Sequence, residues 1–92
     1  MTTLLTPVPP TRSPLDDLSD RERELLSLMA KGYSNAGIAA TLYLSPKTVE
    51  THVRSIFMKL GLPPEGGAHR RVMAVLIYLA ATRPERDLRV AA

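Results

Sequence analysis

Few side chains in this sequence are equipped for chemistry, and what is missing narrows the field first. There is no cysteine, which removes disulfides, thiolate nucleophiles and cysteine-held metals together and makes a cytoplasmic setting the ordinary expectation. His52 and His69 have no second ligand at metal spacing, and no nucleophile stands beside a base. Arg21-Glu22-Arg23-Glu24 alternates in sign, as ion pairs on a helix surface do, rather than forming a catalytic carboxylate set. The expectation is a protein that is no enzyme and needs no cofactor. What remains is one polar face. Between Ser45 and Gly61, Lys47, Glu50, Thr51, Arg54 and Met58 lie opposite Val49, Val53, Ile56 and Leu60, whose spacing stacks them into a single helical stripe. Charges opposite an apolar stripe are also what an ordinary solvated helix shows, so this face needs its context.

Charge supplies part of that context. The net charge is +3 and the sequence pI is about 9.7, unevenly spread. Residues 1–24 hold three Arg against five Asp or Glu, whereas residues 47–71 hold five Lys or Arg against two Glu. A basic middle suits phosphate, nucleic acid or an acidic membrane, and equally a solvated surface. The amino end has neither the basic region nor the apolar run of a secretory signal. Val72 to Ala81, the longest apolar run, is about half of the roughly 20 residues that span a bilayer, so no membrane partner is expected.

Four helices must position the polar face. The start of the chain, with Pro7, Pro9, Pro10 and Pro14, cannot build a core and reads over 1–17 as a flexible proline-rich linker or tail. Ser19-Asp20-Arg21-Glu22 is a capping box, with Leu18 as its hydrophobic staple; Leu25, Leu26, Leu28 and Met29 form the buried face, and Gly32 stops the helix. A short second helix runs from about Asn35 to Tyr43 under a Ser34 cap, with Ile38, Ala39 and Leu42 inward. Ser45 caps the third, Pro46 suits its first position and Gly61 ends it. The junction at Leu44-Ser45 is so short that a helix-turn-helix is the favoured geometry. After a loop containing Pro63, Pro64, Gly66 and Gly67, a last helix runs from about His69 or Arg70 to Thr82, apolar nearly all round. One small core covers only one of its sides, leaving the other as a contact surface.

In order and spacing, Leu18-Ser19-Asp20-Arg21-Glu22-Arg23-Glu24-Leu25-Leu26, Gly32-Tyr33-Ser34-Asn35, Ile38-Ala39, Leu42, Ser45, Thr48-Val49, His52-Val53, Ile56 and Lys59-Leu60-Gly61 resemble the LuxR/FixJ-type helix-turn-helix domain. The resemblance spans about residues 18–80. It implies an all-α, four-helix domain over 18–82 with a C-terminal dimerisation helix, followed by a charged tail over 83–92. The implied function is sequence-specific binding of double-stranded DNA by a bacterial transcriptional regulator, with the helix at about 46–60 in the major groove and a homodimer on DNA. Implied partners are an upstream receiver or sensor domain and RNA polymerase. Base contacts map to Glu50, Thr51 and Arg54, phosphate contacts to Lys47, Thr48, His52 and Lys59, and the dimer interface to Val72, Met73, Leu76, Ile77 and Ala80. Departures from the family pattern include Ala36-Gly37 in place of a Lys-Glu pair, Glu50 where Lys is common, Ser55 where Asn is frequent, and a longer loop from Leu62 to Ala68. Two other readings fit some of the same residues. One is a sigma-factor-like promoter-binding helix-turn-helix, which normally ends soon after its recognition helix; the other is a protein-interaction module using the apolar last helix.

Overall fold

The computed structural model describes residues 13–83; the expected tether up to residue 12 and the tail from residue 84 lie outside the described residues. Four helices, α1 (Asp20–Ala30), α2 (Asn35–Leu42), α3 (Pro46–Lys59) and α4 (Ala68–Thr82), are joined by short turns, with 3-10 helices at Pro14–Asp17 and Pro64–Gly66. Among the described residues there is no strand, and no helix is long and apolar enough to cross a membrane.

The expected boundary at residue 18 falls too late. Ser13 caps the Pro14–Asp17 turn in a capping box with Asp16, and Leu15 is buried in the core with Leu18. Apolar area removed from water outweighs the proline content there: fully burying a leucine is worth about 1.5–3 kcal/mol. The folded part therefore includes 13–17, which α4 covers.

Serine hydroxyls start the first three helices. Ser19 Oγ accepts from the Glu22 N–H at 3.1 Å while Glu22 Oε1 accepts from the Ser19 N–H at 2.8 Å. Ser34 Oγ accepts from the Gly37 N–H, and Ser45 Oγ from the Thr48 N–H, each at 3.1 Å. Gly32 and Gly61 take the left-handed conformation that stops α1 and α3. α2 ends at Leu42, one residue before the expected end, and Tyr43, which caps it, sits at φ 58°. A left-handed turn costs a non-glycine residue roughly 1–2 kcal/mol, and here it lets the Leu44 N–H donate back to the Ala39 carbonyl while the chain turns into α3.

The core forms where α1, α2, α3 and α4 meet. Leu25, Leu26, Ile38, Val49 and Ile56 are fully buried, with Leu28, Met29, Ala39, Val53 and Phe57 around them. Phe57 is part of the core, and Leu60 is only half-buried. From α4 only Ala74 is fully buried, with Val75, Ile77 and Tyr78 packed partly against the core.

One buried carboxylate crosses this core margin. Glu22 is 5% exposed, and beyond capping α1 it accepts from the Ser55 hydroxyl at 2.7 Å and from Lys59 Nζ at 2.9 Å. Its carboxyl is lowered from 4.5 to about 2: burial alone would raise it, but the Ser19 N–H, then the Ser55 hydroxyl and then Lys59 outweigh burial. A depressed pKa means that the unfolded chain takes up the proton first. The stabilisation is therefore complete above about pH 4.5 and is lost as pH falls toward 2. At about 1.36 kcal/mol per pH unit it is at most on the order of 3 kcal/mol, less because Lys59 is open to solvent. Ser55→Ala should accordingly move the acid-unfolding midpoint, followed by circular dichroism, to higher pH. An unmoved midpoint would contradict this role for the network.

Candidate nucleic-acid interface

The spacing that buries Val49, Val53 and Ile56 turns the other side of α3 to solvent. Lys47, Glu50, Thr51, Arg54 and Met58 are all exposed there. Among the described residues no hydrogen bond or ion pair engages the side chains of Lys47, Glu50 or Arg54, so one acceptor and two cationic donors are available to an external partner. Thr51 Oγ1 donates to the Lys47 carbonyl at 3.1 Å, which ties its hydroxyl to the helix. Thr48 is half-buried, and its hydroxyl accepts from Ser45 Oγ at 2.9 Å. His52 lies half-buried on the flank of the same helix.

Lys59, expected at a phosphate, pairs with a side chain of α1 within the domain. It is the counter-ion of Glu22, so its ammonium serves the contact between α1 and α3. Ser55, noted only as a departure from the family pattern, holds the other carboxylate oxygen. At the last helix Val72, Met73, Leu76 and Ala80 are exposed as expected of a contact face, but Ile77 is partly buried against the core. Leu79, 49% exposed, stands among the exposed set instead. Helical spacing explains the exchange, since Ala74, Ile77 and Tyr78 recur at three and four residues on the inward side.

Residues absent from the expected set also border the α3 face. A cleft of about 290 Å³ is lined by Glu50 and Arg54 of α3, Asn35 of α2, and Ala68, Arg70 and Arg71 of α4. Arg71 Nη1 donates to Asn35 Oδ1 at 2.8 Å and Nη2 donates to the Tyr33 carbonyl, tying the start of α4 to the start of α2. The available signal was the pair Arg70-Arg71 opening an apolar helix, whose proximity to α3 no local pattern reveals.

Comparison of the sequence with known proteins finds a family that covers all four helices almost to the end of the last. The family of bacterial regulatory proteins called the luxR family matches residues 16–78. The chain belongs to this family. The LuxR family consists of helix-turn-helix DNA-binding domains of transcription regulators and is not an enzyme family. Similar proteins include a nitrate/nitrite response regulator protein homolog of Haemophilus influenzae, 39% identical over 71 residues, which are 77% of this chain and 31% of that protein. The probable transcriptional regulatory protein SgaR of Hyphomicrobium methylovorum is 39% identical over 72 residues, 78% of this chain and 31% of that one. The oxygen regulatory protein NreC of Staphylococcus aureus is 54% identical over 52 residues, 56% and 24% of the two chains. The matched part thus spans about a third or less of these relatives' own length.

The two lysines of α3 separate stability from surface chemistry within this LuxR-type domain. Lys59→Ala leaves a buried carboxylate short of a charged partner, so thermal unfolding should shift down by several degrees, at about 4–8 °C per kcal/mol for a domain of this size. Lys47→Ala should leave the midpoint within about a degree, because exposed positions without partners contribute within about 0.5 kcal/mol. Equal midpoints for the two variants would show that Lys59 is not structural.

Proposed function

We propose that the domain reads duplex DNA by placing α3 in the major groove. The reading is carried by one observation: Lys47, Glu50 and Arg54 project from α3 with no side-chain partner among the described residues, while the opposite face of the same helix is buried. An α-helix fits that groove, where each base pair presents a distinct set of donors and acceptors. Arg54 pairs with a guanine edge, the Thr51 methyl meets a thymine methyl, and Glu50 accepts from a cytosine amino group, each worth roughly 1–3 kcal/mol of discrimination. The Thr51 assignment is favoured because its hydroxyl is already bonded to the Lys47 carbonyl, which leaves the methyl as its free chemistry. Lys47, Thr48 and His52 meet phosphates, which set register without carrying sequence information.

Two copies bind together in this reading. Val72, Met73, Leu76 and Leu79 of α4 are 45–55% exposed, and none of the described residues covers their apolar surface. A second copy of α4 buries that stripe by a two-fold contact. Relatives about three times as long as the matched segment, one of them named as a response regulator, support an upstream receiver or sensor domain. RNA polymerase is the further partner of a cytoplasmic regulator of this kind.

Selection of bound sequences from a random duplex pool tests the base contacts. Arg54→Ala should relax preference at one base pair of the motif while leaving the others, with a loss of about 10- to 100-fold on the selected site. Failure of the wild-type domain to bind any duplex at low salt would end the DNA reading. In a second test, Leu76→Glu should turn a paired motif into a single half-site with little change in thermal midpoint, since Leu76 is already 53% exposed. A paired motif unchanged by that substitution would remove α4 from the dimer contact.

A further inference from the structure

Arg70 carries a charge that neither the core nor the α3 face uses. Its guanidinium carbon lies 4.9 Å from the centre of the Phe57 ring, the side chain is half-buried, and the buried Nε has no hydrogen-bond partner. Among the described residues Arg70 forms no ion pair. Its neighbour Arg71 differs, because Asn35 and the Tyr33 carbonyl accept from it. Partial burial strips water from a cation, and a ring face offsets that loss incompletely, so an anion from outside is favoured at such a group.

The position of Arg70 is also fixed. Its aliphatic stem lies over Gly66, where an added Cβ would come 2.8 Å from Arg70 Cγ. Arg70 and Arg54 line both clefts beside α3, the one of about 290 Å³ and an apolar one of about 360 Å³ reaching Met58 and Leu62. Around the first cleft Arg54, Arg70 and Arg71 face a single carboxylate, that of Glu50. We propose that Arg70 is a DNA-phosphate contact supplied by α4, seating one phosphodiester of the strand that borders the groove read by α3.

This rests on the reading of α3 as the groove helix. A helix about 10–12 Å across nearly fills a major groove about 12 Å wide, so phosphates border both its flanks. A guanidinium beside Arg54 but carried on the neighbouring helix meets that border rather than the base edges. Its planar fork matches two phosphate oxygens, and the contact with the Phe57 ring limits where the fork can go.

The test is the salt dependence of duplex binding by the whole chain. Each phosphate neutralised contributes about 0.9 to the slope of log affinity against log salt. Arg70→Gln should lower that slope by about 0.9 and weaken selected and unrelated duplexes by the same factor, whereas Arg70→Lys should keep the slope. An Arg70→Gln protein that binds with the wild-type slope overturns the assignment while leaving the α3 reading intact; a wild-type chain that binds no duplex removes both. A measurement on the wild type guards against an unfolded variant. The Arg70 Nε–H signal in nuclear magnetic resonance should move on adding duplex and stay put when the bordering phosphates are replaced by neutral methylphosphonates. A signal unmoved by the unmodified duplex, or moved equally by both, also overturns the proposal.

Discussion

The placement of α3 depends on one carboxylate, that of Glu22, which is held at once by the start of α1 and the last turns of α3. The same oxygen that closes the α1 capping box accepts from Lys59, and the other accepts from Ser55. An apolar stripe decides which side of a helix faces the core, but dispersion contacts are non-directional and tolerate small rotations and slides. Hydrogen bonds of 2.7–2.9 Å to two residues one turn apart on α3 do not. A well-packed apolar replacement for such a group is often as stable, so its value here lies in orientation. On the proposed reading, in which α3 turns Glu50, Thr51 and Arg54 toward base edges, that orientation matters more than the stability.

The other end of α3 is set by a different device. Ser45 caps it, Pro46 opens it without an unsatisfied N–H, and Tyr43 turns the chain into it from a left-handed conformation. Tyr43 is 94% exposed, so no packing of its ring compensates the backbone cost. What offsets it is the turn itself, which lets Leu44 pack against the core and Ser45 reach Thr48. The polar face is thereby anchored at both ends, by the cap at one and by Glu22 at the other.

Much of this was legible locally, because helix limits are local events. The Ser19 box, the Ser34 and Ser45 caps, and the stops at Gly32 and Gly61 are each written within a few residues and stand where the pattern put them. The stripe of α3 was likewise readable from its period, and the side opposite it followed. What could not be read depended on which elements meet. Leu15 looked like part of a proline-rich tail because α4, which covers its turn, lies more than fifty residues on. The ion pair of Lys59 was hidden because its partner Glu22 is 37 residues away. Ile77 could not be told from its apolar neighbours in a helix hydrophobic all round until the inward side was known. Arg70 and Arg71 gave no local sign that the loop before them returns to the flank of α3.

These long-range pairings change what the basic middle of the chain means. Of the five cations between residues 47 and 71, Lys59 is held by Glu22, Arg71 by the start of α2, and Arg70 lies against Phe57. Lys47 and Arg54 are left on the outward face of α3 with Glu50 opposing them, and Arg70 beside them has no anionic partner among the described residues. Attraction to a phosphate backbone grows with the number of counterions released, and so small an excess on one domain releases few. The proposed pairing through α4 answers that deficit, since a second copy doubles the contacts and makes the second binding step intramolecular. On that proposal the exposed apolar stripe of α4 and the modest charge of α3 belong together, since the weaker the hold of one copy on DNA, the more of the binding must come from pairing.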